Sequence, residues 1–213
     1  MLFKAVIFDL DGVISDTQVI HSAVESLLFA RYGISIAPEE ISRRFAGTMS
    51  REYFPVVFRE AGKTCDDLEG LIRKRRETVM ECARGNVRPI PGAPELIAHL
   101  ASRKIPLAVG SGSNRSFIDL VLSELQLEHY FSAIASSDDV AKSKPDPAIF
   151  LLAAERLQVS PSQCVVIEDG INGMVAARAA GMKCIALVPP NHPPVPADIR
   201  VQALSEISVS MLE

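Results

Sequence analysis

The chain has 213 residues, of which 48% are hydrophobic and 23% are charged, and its formal net charge is −4. This length supports one or two domains with their own hydrophobic core, and the apolar share excludes a disordered chain. The mildly acidic balance argues against a nucleic-acid-binding surface, and no apolar run approaches the ~18 residues of a membrane span. An aspartate at position 9 interrupts the apolar run that a signal peptide needs. The four cysteines include no C-x-x-C pair, so we expect a cytoplasmic protein without disulfides or zinc.

The first predicted strand is followed by a long helical segment. The apolar run Ala5-Val6-Ile7-Phe8 stops at Asp9 and indicates a buried strand. Residues 17–88 then show helical spacing throughout, with predicted helices that end near Gly33, open at Pro38, lie near 51–61 and span about 66–83. This segment carries a net charge of +2, whereas the rest of the chain carries −6. We therefore predict a helical domain at 17–88, inserted into a discontinuous α/β domain formed by 1–16 and 89–213.

The remainder of the chain alternates between two patterns. Apolar runs at 105–109, 131–135, 164–167 and 184–188 have the length of strands that are buried on both faces of a parallel sheet. Helical spacing occupies the stretches 94–102, 117–125, 147–157 and 171–180. This alternation predicts an α/β open sheet, and the proline-rich tail after Val188 predicts loops.

Polar side chains follow the predicted strands at the points where the strands end. They are Asp9 and Asp11 after the first strand, Ser111, Ser113 and Asn114 after the second, Lys144 after the third, and Glu168 and Asp169 after the fourth. Ligands of open α/β sheets bind at these ends of the strands. Carboxylates that share a cleft stay ionised beside a cation, and ligands that are all oxygen favour Mg²⁺. The pattern therefore predicts a magnesium site.

Each of these groups suits a step of phosphoryl transfer. A carboxylate such as Asp9 can attack phosphorus and form an aspartyl-phosphate, while Asp11 can protonate the leaving oxygen and then activate water. Ser111 and Lys144 are suited to hold the transferring oxygens. Ser113 lies near a helix start, where free N–H groups favour phosphate.

The strand-end motifs together resemble those of the haloacid dehalogenase superfamily. The stretch Asp9-Leu10-Asp11-Gly12-Val13-Ile14-Ser15-Asp16-Thr17 resembles its first motif. Ser111 resembles its second, Lys144-Pro145-Asp146-Pro147 its third and Glu168-Asp169-Gly170 its fourth. The resemblance covers nearly the whole chain and implies a Rossmann-like body with an inserted helical cap. It also implies that Asp9 is the nucleophile and Asp11 the general acid/base. Mg²⁺ would bind the Asp9 carboxylate, the Asp11 backbone carbonyl and Asp169, with Glu168 close by.

Within that superfamily the chain is similar to the branch of β-phosphoglucomutase and small sugar-phosphate phosphatases. The similarity implies a set of substrate contacts: His21, Gly47, Arg51 and Lys74 from the cap, and Ser113 and Asn114 from the body. The register of the basic run 73–76 is open by one residue. Glu25 stands where the mutase pattern has a tryptophan, and hydrolysis needs only water, so we favour a phosphatase and keep the mutase as the alternative.

A phospho-acceptor signalling module is a third hypothesis, because receiver domains also combine clustered aspartates, a hydroxyl and a lysine. Receivers have roughly 120 residues and no helical insert after the first carboxylates, which speaks against this hypothesis. We expect a small phosphorylated metabolite as the partner, no nucleic acid or membrane, and a monomer. Linkers near 15–18 and 86–91 join the cap to the body, and the second, with Gly85, Pro89, Pro91 and Gly92, is predicted to be a hinge on which the cap closes.

Overall fold

The strands of the body form a single parallel sheet in the computed structural model, which describes residues 3–208 and 211. Within this part of the chain the strands are β1 (Ala5–Phe8), β2 (Leu107–Gly110), β3 (Ala133–Ala135), β4 (Cys164–Glu168), β5 (Lys183–Leu187) and β6 (Ile199–Val201). Their order is β3-β2-β1-β4-β5-β6, and each pairs in parallel with its neighbours. The predicted α/β open sheet is confirmed, and β1 lies inside it between β2 and β4.

The outermost parts of the predicted body segments, 1–2, 209–210 and 212–213, lie outside the described residues. The same holds for the first two residues of the N-terminal run that argued against a signal peptide.

Eight α-helices are found among the described residues, besides short 3-10 turns. They are α1 (Gln18–Ala30), α2 (Pro38–Phe45), α3 (Ser50–Glu60), α4 (Leu68–Ala83), α5 (Ala93–Ser102), α6 (Arg115–Glu124), α7 (Ala148–Leu157) and α8 (Ile171–Ala179). The first four form the cap between β1 and β2. The last four alternate with the strands, as the helical spacing predicts.

The central strands are buried on both faces of the sheet. Val6 and Phe8 of β1 pack in the apolar core that includes α5 and α6, whereas Ala5 and Ile7 pack in a second core with α7 and α8. Burial on both faces explains why β1 is an unbroken apolar run instead of an alternating one. The first polar side chain is therefore that of Asp9, directly after the strand ends.

The cap has an aromatic core of its own that joins the first of these cores. The Phe29 ring packs edge to face on Phe54, with centroids 4.9 Å apart, and on Phe58 at 6.0 Å. α3 runs through Pro55, which lacks the backbone N–H of an interior helical residue. The two linkers to the body lie side by side, since the Asp16 N–H donates to the Arg88 carbonyl and the Ile90 N–H to the Ile14 carbonyl, both at 2.9 Å.

The interpretation of the tail as loop was wrong in one place. β6 pairs in parallel with β5, so that Ala186 lies opposite Arg200. The strand has three residues, and the central one, Arg200, is exposed. Such a short, partly polar segment has too little apolar pattern to distinguish it from a loop.

Candidate active site

Three carboxylates meet where β1 and β4 end. Asp9 directly follows β1, Glu168 is the last residue of β4, and Asp169 follows it. One oxygen of each carboxylate lies within 4.8 Å of the others. Parallel strands place their carboxyl ends at one edge of the sheet, which is why residues 159 positions apart in sequence become neighbours.

Lys144 is the positive charge of this group. Its ammonium Nζ donates to Asp9 Oδ1 at 2.5 Å and to Glu168 Oε1 at 2.7 Å, and the side chain is 1% exposed. Burial lowers the pKa of Lys144, but Asp9 and Glu168 outweigh that effect and hold the pKa above its usual range. Lys144 is therefore a fixed ammonium group against the predicted nucleophile.

The carboxylates fit a magnesium ion by their donor set. Burial raises the pKa of Asp9 to about 7, with Lys144 opposing this and the charges of Glu168 and Asp11 adding to it. Burial, followed by the charges of Glu168 and Asp9, also raises the pKa of Asp169 well above its usual range. A divalent cation would favour the ionised carboxylates against both burial and their mutual repulsion, and Mg²⁺ takes carboxylate oxygens together with waters. The site therefore has the chemistry that the predicted ion requires.

Gly12 makes close packing around Asp169 possible. It has a φ of +95°, in the left-handed region, and a Cβ at this position would lie 2.1 Å from Asp169 Oδ2. A side chain at position 12 would therefore displace a predicted metal ligand.

Asp11 is held by partners from both the cap and the body. Its Oδ1 accepts a hydrogen bond from the Thr17 hydroxyl at 2.5 Å and lies 3.0 Å from His21 Nε2, while its Oδ2 accepts from the Ser113 hydroxyl at 2.7 Å. Burial raises the pKa of Asp11, but the neighbouring His21 imidazole and the two hydroxyls outweigh burial and bring the pKa well below its usual range. Asp11 is thus held as a carboxylate, by groups from both the cap and the body.

The turn after β2 supplies Ser111, Ser113 and Asn114. Ser111 is fully buried, and its hydroxyl oxygen accepts a hydrogen bond from the Ser113 backbone N–H at 3.0 Å. Asn114 begins α6, where its Oδ1 accepts from the Phe117 N–H at 2.9 Å. The Asn114 oxygen therefore serves as the helix cap, while the residue also lines a cavity next to the site.

A cavity lies between the carboxylates and the cap. Its walls bring together Asp9, Asp11, His21, Gly47, Ser113, Glu168 and Asp169 of the predicted residues, with Glu25, Tyr53 and Arg75 among the others. A second cavity shares Gly112 and Arg75 with the first and is also lined by Arg51, Arg76 and Asn114. The predicted residues thus line these two neighbouring cavities, with three exceptions. Ser111 and Lys144 are buried behind the walls, and Lys74 lies on neither cavity.

Comparison with known proteins agrees with this geometry. Residues 6–187 match the family model described as haloacid dehalogenase-like hydrolase. The chain belongs to this family. It is 33% identical over 183 residues to the fructose-1-phosphate phosphatase YqaB of Escherichia coli, covering 86% of this chain and 95% of that protein. It is 31% identical over 215 residues to the β-phosphoglucomutase of Bacillus subtilis, covering 98% and 93% respectively.

The fold of this haloacid dehalogenase-like hydrolase also has a solved counterpart. A β-phosphoglucomutase structure from Clostridium difficile superposes with a TM-score of 0.88 at 24% identity, covering 99% of this chain and 96% of that one. The Rossmann-type sheet with an inserted helical cap is confirmed, as is the assignment of the chain as an enzyme of the phosphoric monoester hydrolase type. No helix among residues 3–208 is long and apolar enough to cross a membrane.

Lys74 lies apart from both cavities described above. Its Nζ is 3.8 Å from Glu77 Oε2, and its side chain is about half exposed, at 49%. The adjacent Arg75 turns inward: its guanidinium donates to Glu25 Oε1 at 2.8 Å, and NH2 lies 3.0 Å from His21 Nδ1. The structure thus places Arg75, and not Lys74, on the cavity wall of this hydrolase.

Sequence reasoning missed Thr17 and Glu25 as members of the site. Thr17 was part of the first motif, yet its hydroxyl contact with Asp11 depends on how the linker turns. Glu25 was noted only because it departs from the mutase pattern. Glu25 is 2% exposed, and a buried glutamate needs a positively charged partner. The four basic residues at 73–76 were the feature of the sequence that could have indicated such a partner.

Proposed function

We propose that this protein is a Mg²⁺-dependent phosphatase that hydrolyses a small phosphomonoester, a sugar or polyol phosphate, through an aspartyl-phosphate on Asp9. The observation that carries the proposal is the position of Asp9. It is hydrogen-bonded to the Lys144 ammonium, belongs to the three-carboxylate cluster, and lines a cavity together with Asp11. The similarity to a fructose-1-phosphate phosphatase supports the substrate class.

The carboxylates of Asp9, Glu168 and Asp169, with the backbone carbonyl of Asp11, would hold the magnesium ion. When bound, the ion supplies positive charge that brings the phosphate dianion and the Asp9 carboxylate together. Glu168 acts mainly as a brace, because its Oε1 accepts from Lys144 and its Oε2 from the Gly170 N–H at 2.6 Å. Asp9 and Asp169 are the more available donors.

In the first step, an oxygen of Asp9 attacks phosphorus and the bond to the sugar oxygen breaks. Lys144 stabilises the charge on the transferring oxygens, because it remains an ammonium group at the attacking carboxylate. Asp11 gives the departing oxygen a proton. It must first acquire that proton, and the approach of a negatively charged phosphate favours protonation by raising its pKa.

In the second step, Asp11 removes a proton from a water molecule that attacks the phosphorus of the aspartyl-phosphate. The bond between phosphorus and the Asp9 oxygen breaks, which releases phosphate and restores the Asp9 carboxylate. Three hydrogen-bonding groups, from Thr17, His21 and Ser113, fix the Asp11 carboxylate for this role. The pKa of Asp11, held below its usual range, keeps it ionised before the water reacts.

A panel of phosphorylated metabolites tests the proposal. The purified protein should release inorganic phosphate from sugar or polyol phosphates when Mg²⁺ is present, and EDTA should abolish the release. Acid-quenched samples should contain phosphate covalently bound to the wild type, and none should be bound to Asp9→Asn. Phosphate release that persists in EDTA or in Asp9→Asn would refute the mechanism.

The second cavity favours a mutase as the alternative function. Arg51, Arg75 and Arg76 all line it, so a second phosphate group would meet three guanidinium groups there. The β-phosphoglucomutase of Bacillus subtilis is similar over nearly the whole chain. Conversion of β-glucose 1-phosphate to the 6-phosphate, primed by a bisphosphate, would establish the mutase, whereas inorganic phosphate as the sole product would reject it.

A further inference from the structure

Glu52, which the proposed mechanism does not use, joins the cap to the loop that carries Lys144. It lies in the first turn of α3, and its Oε1 accepts a hydrogen bond from the Ser143 backbone N–H at 2.9 Å. Its Oε2 accepts a second hydrogen bond from the Ser143 hydroxyl. One cap carboxylate therefore takes both donors of the residue that directly precedes Lys144.

These hydrogen bonds connect the loop to a residue of the cap, in addition to the bonds within the loop itself. Ser143 is 5% exposed, and its own carbonyl accepts from the Asp146 N–H at 2.9 Å, a bond that lies within the same loop. An ionised acceptor strengthens a hydrogen bond, and two donors that meet one carboxylate fix direction as well as distance. A displacement of the backbone at Ser143 would move the Lys144 side chain, whose Nζ must reach Asp9.

The same turn of α3 also faces the substrate space. Arg51, next to Glu52, lines the second cavity beside the site. A ligand anion that binds Arg51 would therefore hold the start of α3 against the body, with Glu52 seated on Ser143. Substrate contact and placement of the catalytic lysine share one helical turn.

We propose that Glu52 is a positioning residue that couples the seating of the cap to the placement of Lys144 beside Asp9. When the cap opens, Glu52 moves away with α3, and the two donors of Ser143 form hydrogen bonds with water instead. When the cap seats, both hydrogen bonds form and Lys144 is held in its working place over an enclosed substrate. The kinetic part of this inference rests on the proposed function, because Lys144 acts there on the transferring phosphate.

Amide hydrogen exchange tests the coupling without reference to activity. In Glu52→Ala, the amides of residues 141–149 should exchange faster than in the wild type. Glu60→Ala is the matched control, because Glu60 lies at the other end of α3 and accepts both of its 2.7 Å hydrogen bonds from Arg44, inside the cap. Exchange in residues 141–149 should be unchanged in this control.

Steady-state kinetics with Mg²⁺ and an aryl phosphate give the second readout. Glu52→Ala should lower kcat by about tenfold or more, with KM changed less than about threefold. Ser143→Ala, which keeps the backbone donor, should lower kcat by less, and Ser143→Thr should restore it. The double variant Glu52→Ala/Ser143→Ala should be no slower than Glu52→Ala, because the two residues act through one contact.

The two readouts separate failure of the coupling from failure of the function. Unchanged exchange in residues 141–149, or equal losses of kcat in Glu52→Ala and Glu60→Ala, would overturn the role of Glu52. If Glu52→Ala does not fold, Glu52→Gln keeps an acceptor for the Ser143 N–H and should show smaller shifts of the same sign. A wild type that hydrolyses no phosphomonoester would refute the proposed function, while the exchange result would still decide the coupling.

Discussion

The body and the cap hold their charged groups in contrasting ways. In the body, Asp9, Lys144 and Glu168 are buried and bonded to one another, and each is fixed by the end of a strand or by a tight loop. In the cap, Arg51 is exposed at the start of α3, where it lines the second cavity. The difference shows that the groups suited to the chemistry are set in advance, whereas the groups suited to recognise a substrate lie on a separate unit.

The pair of Glu25 and Arg75 is the exception to this contrast. It lies in the cap, yet Glu25 is as deeply buried as the carboxylates of the body, and Arg75 NH2 lies 2.7 Å from its Oε1. Through His21, the pair extends to Asp11. The cap therefore contributes one preformed charged network next to the reacting groups.

The largest expected effect tests the body. Asp9→Asn should reduce phosphate release by about 10⁴-fold or more, because the amide cannot form the covalent intermediate. Phosphate release under saturating Mg²⁺ measures the loss, and circular dichroism should show a retained fold. Activity within tenfold of the wild type would remove Asp9 from the role of nucleophile.

The second prediction concerns the buried lysine. Lys144→Met should lower the free energy of unfolding by about 3–5 kcal/mol in EDTA, because the carboxylates of Asp9 and Glu168 lose their positive partner. Adding Mg²⁺ should restore part of that stability. Urea unfolding with and without the ion measures both effects, and Lys142→Met, whose side chain is 76% exposed, is the control that should stay near wild type. Equal loss in both variants would contradict the role of the buried contact.

The third prediction asks which residue of the basic run belongs to the site. Arg75→Met should lower kcat/KM by about 10- to 100-fold, because it leaves Glu25 without its partner and His21 without its neighbour. Lys74→Met should change kcat/KM less than about twofold and the unfolding free energy by less than about 0.5 kcal/mol. The reverse order of effects would show that the cap turns in solution so that Lys74 faces the substrate.

The smallest expected effect is on the pH dependence of stability. Burial raises the pKa of Asp9 to about 7 in the absence of metal, so between about pH 4 and 7 the folded state binds more protons than the unfolded state. The Tm in EDTA should therefore fall by several degrees as the pH rises through this window. Mg²⁺ should oppose the fall, because it binds the deprotonated carboxylates. Asp9→Asn should show a flatter profile, and a wild-type Tm that rises across the window would contradict the prediction.

The strands of the body and its candidate site residues could be predicted from the sequence, because one physical rule places the polar groups at the ends of the strands. Buried parallel strands appear as short apolar runs, so the first polar residue after each run marks the edge of the sheet where ligands bind. Asp9, Ser111 and Glu168 follow such runs, and the structure places them near one another. Their catalytic and metal-binding roles stay predictions until they are measured.

For the cap, the sequence predicted the helices but not which of their side chains face the cavity. An α-helix turns by about 100° for each residue, so an error of one position in the run 73–76 moves a side chain from the cavity to solvent. The choice between Lys74 and Arg75 depends on Glu25, which lies 50 residues earlier on another helix. Local patterns contain no information on such a contact between distant helices. The hydrogen bond between Thr17 and Asp11 was missed for another reason, because it depends on how the linker after β1 turns.

The position of β1 in the sheet has a consequence for synthesis on the ribosome. Its four residues pair with β2 at 107–109 and with β4 at 164–167, so the strand at the start of the chain waits for partners that are made more than 100 residues later. At about 5–20 residues per second, the β4 side stays open for roughly 8–30 seconds after β1 is made. The helices of the cap, whose contacts are closer in sequence, can fold during this interval. An apolar strand that remains unpaired for so long is a site at which a chaperone or another nascent chain can bind before the sheet closes.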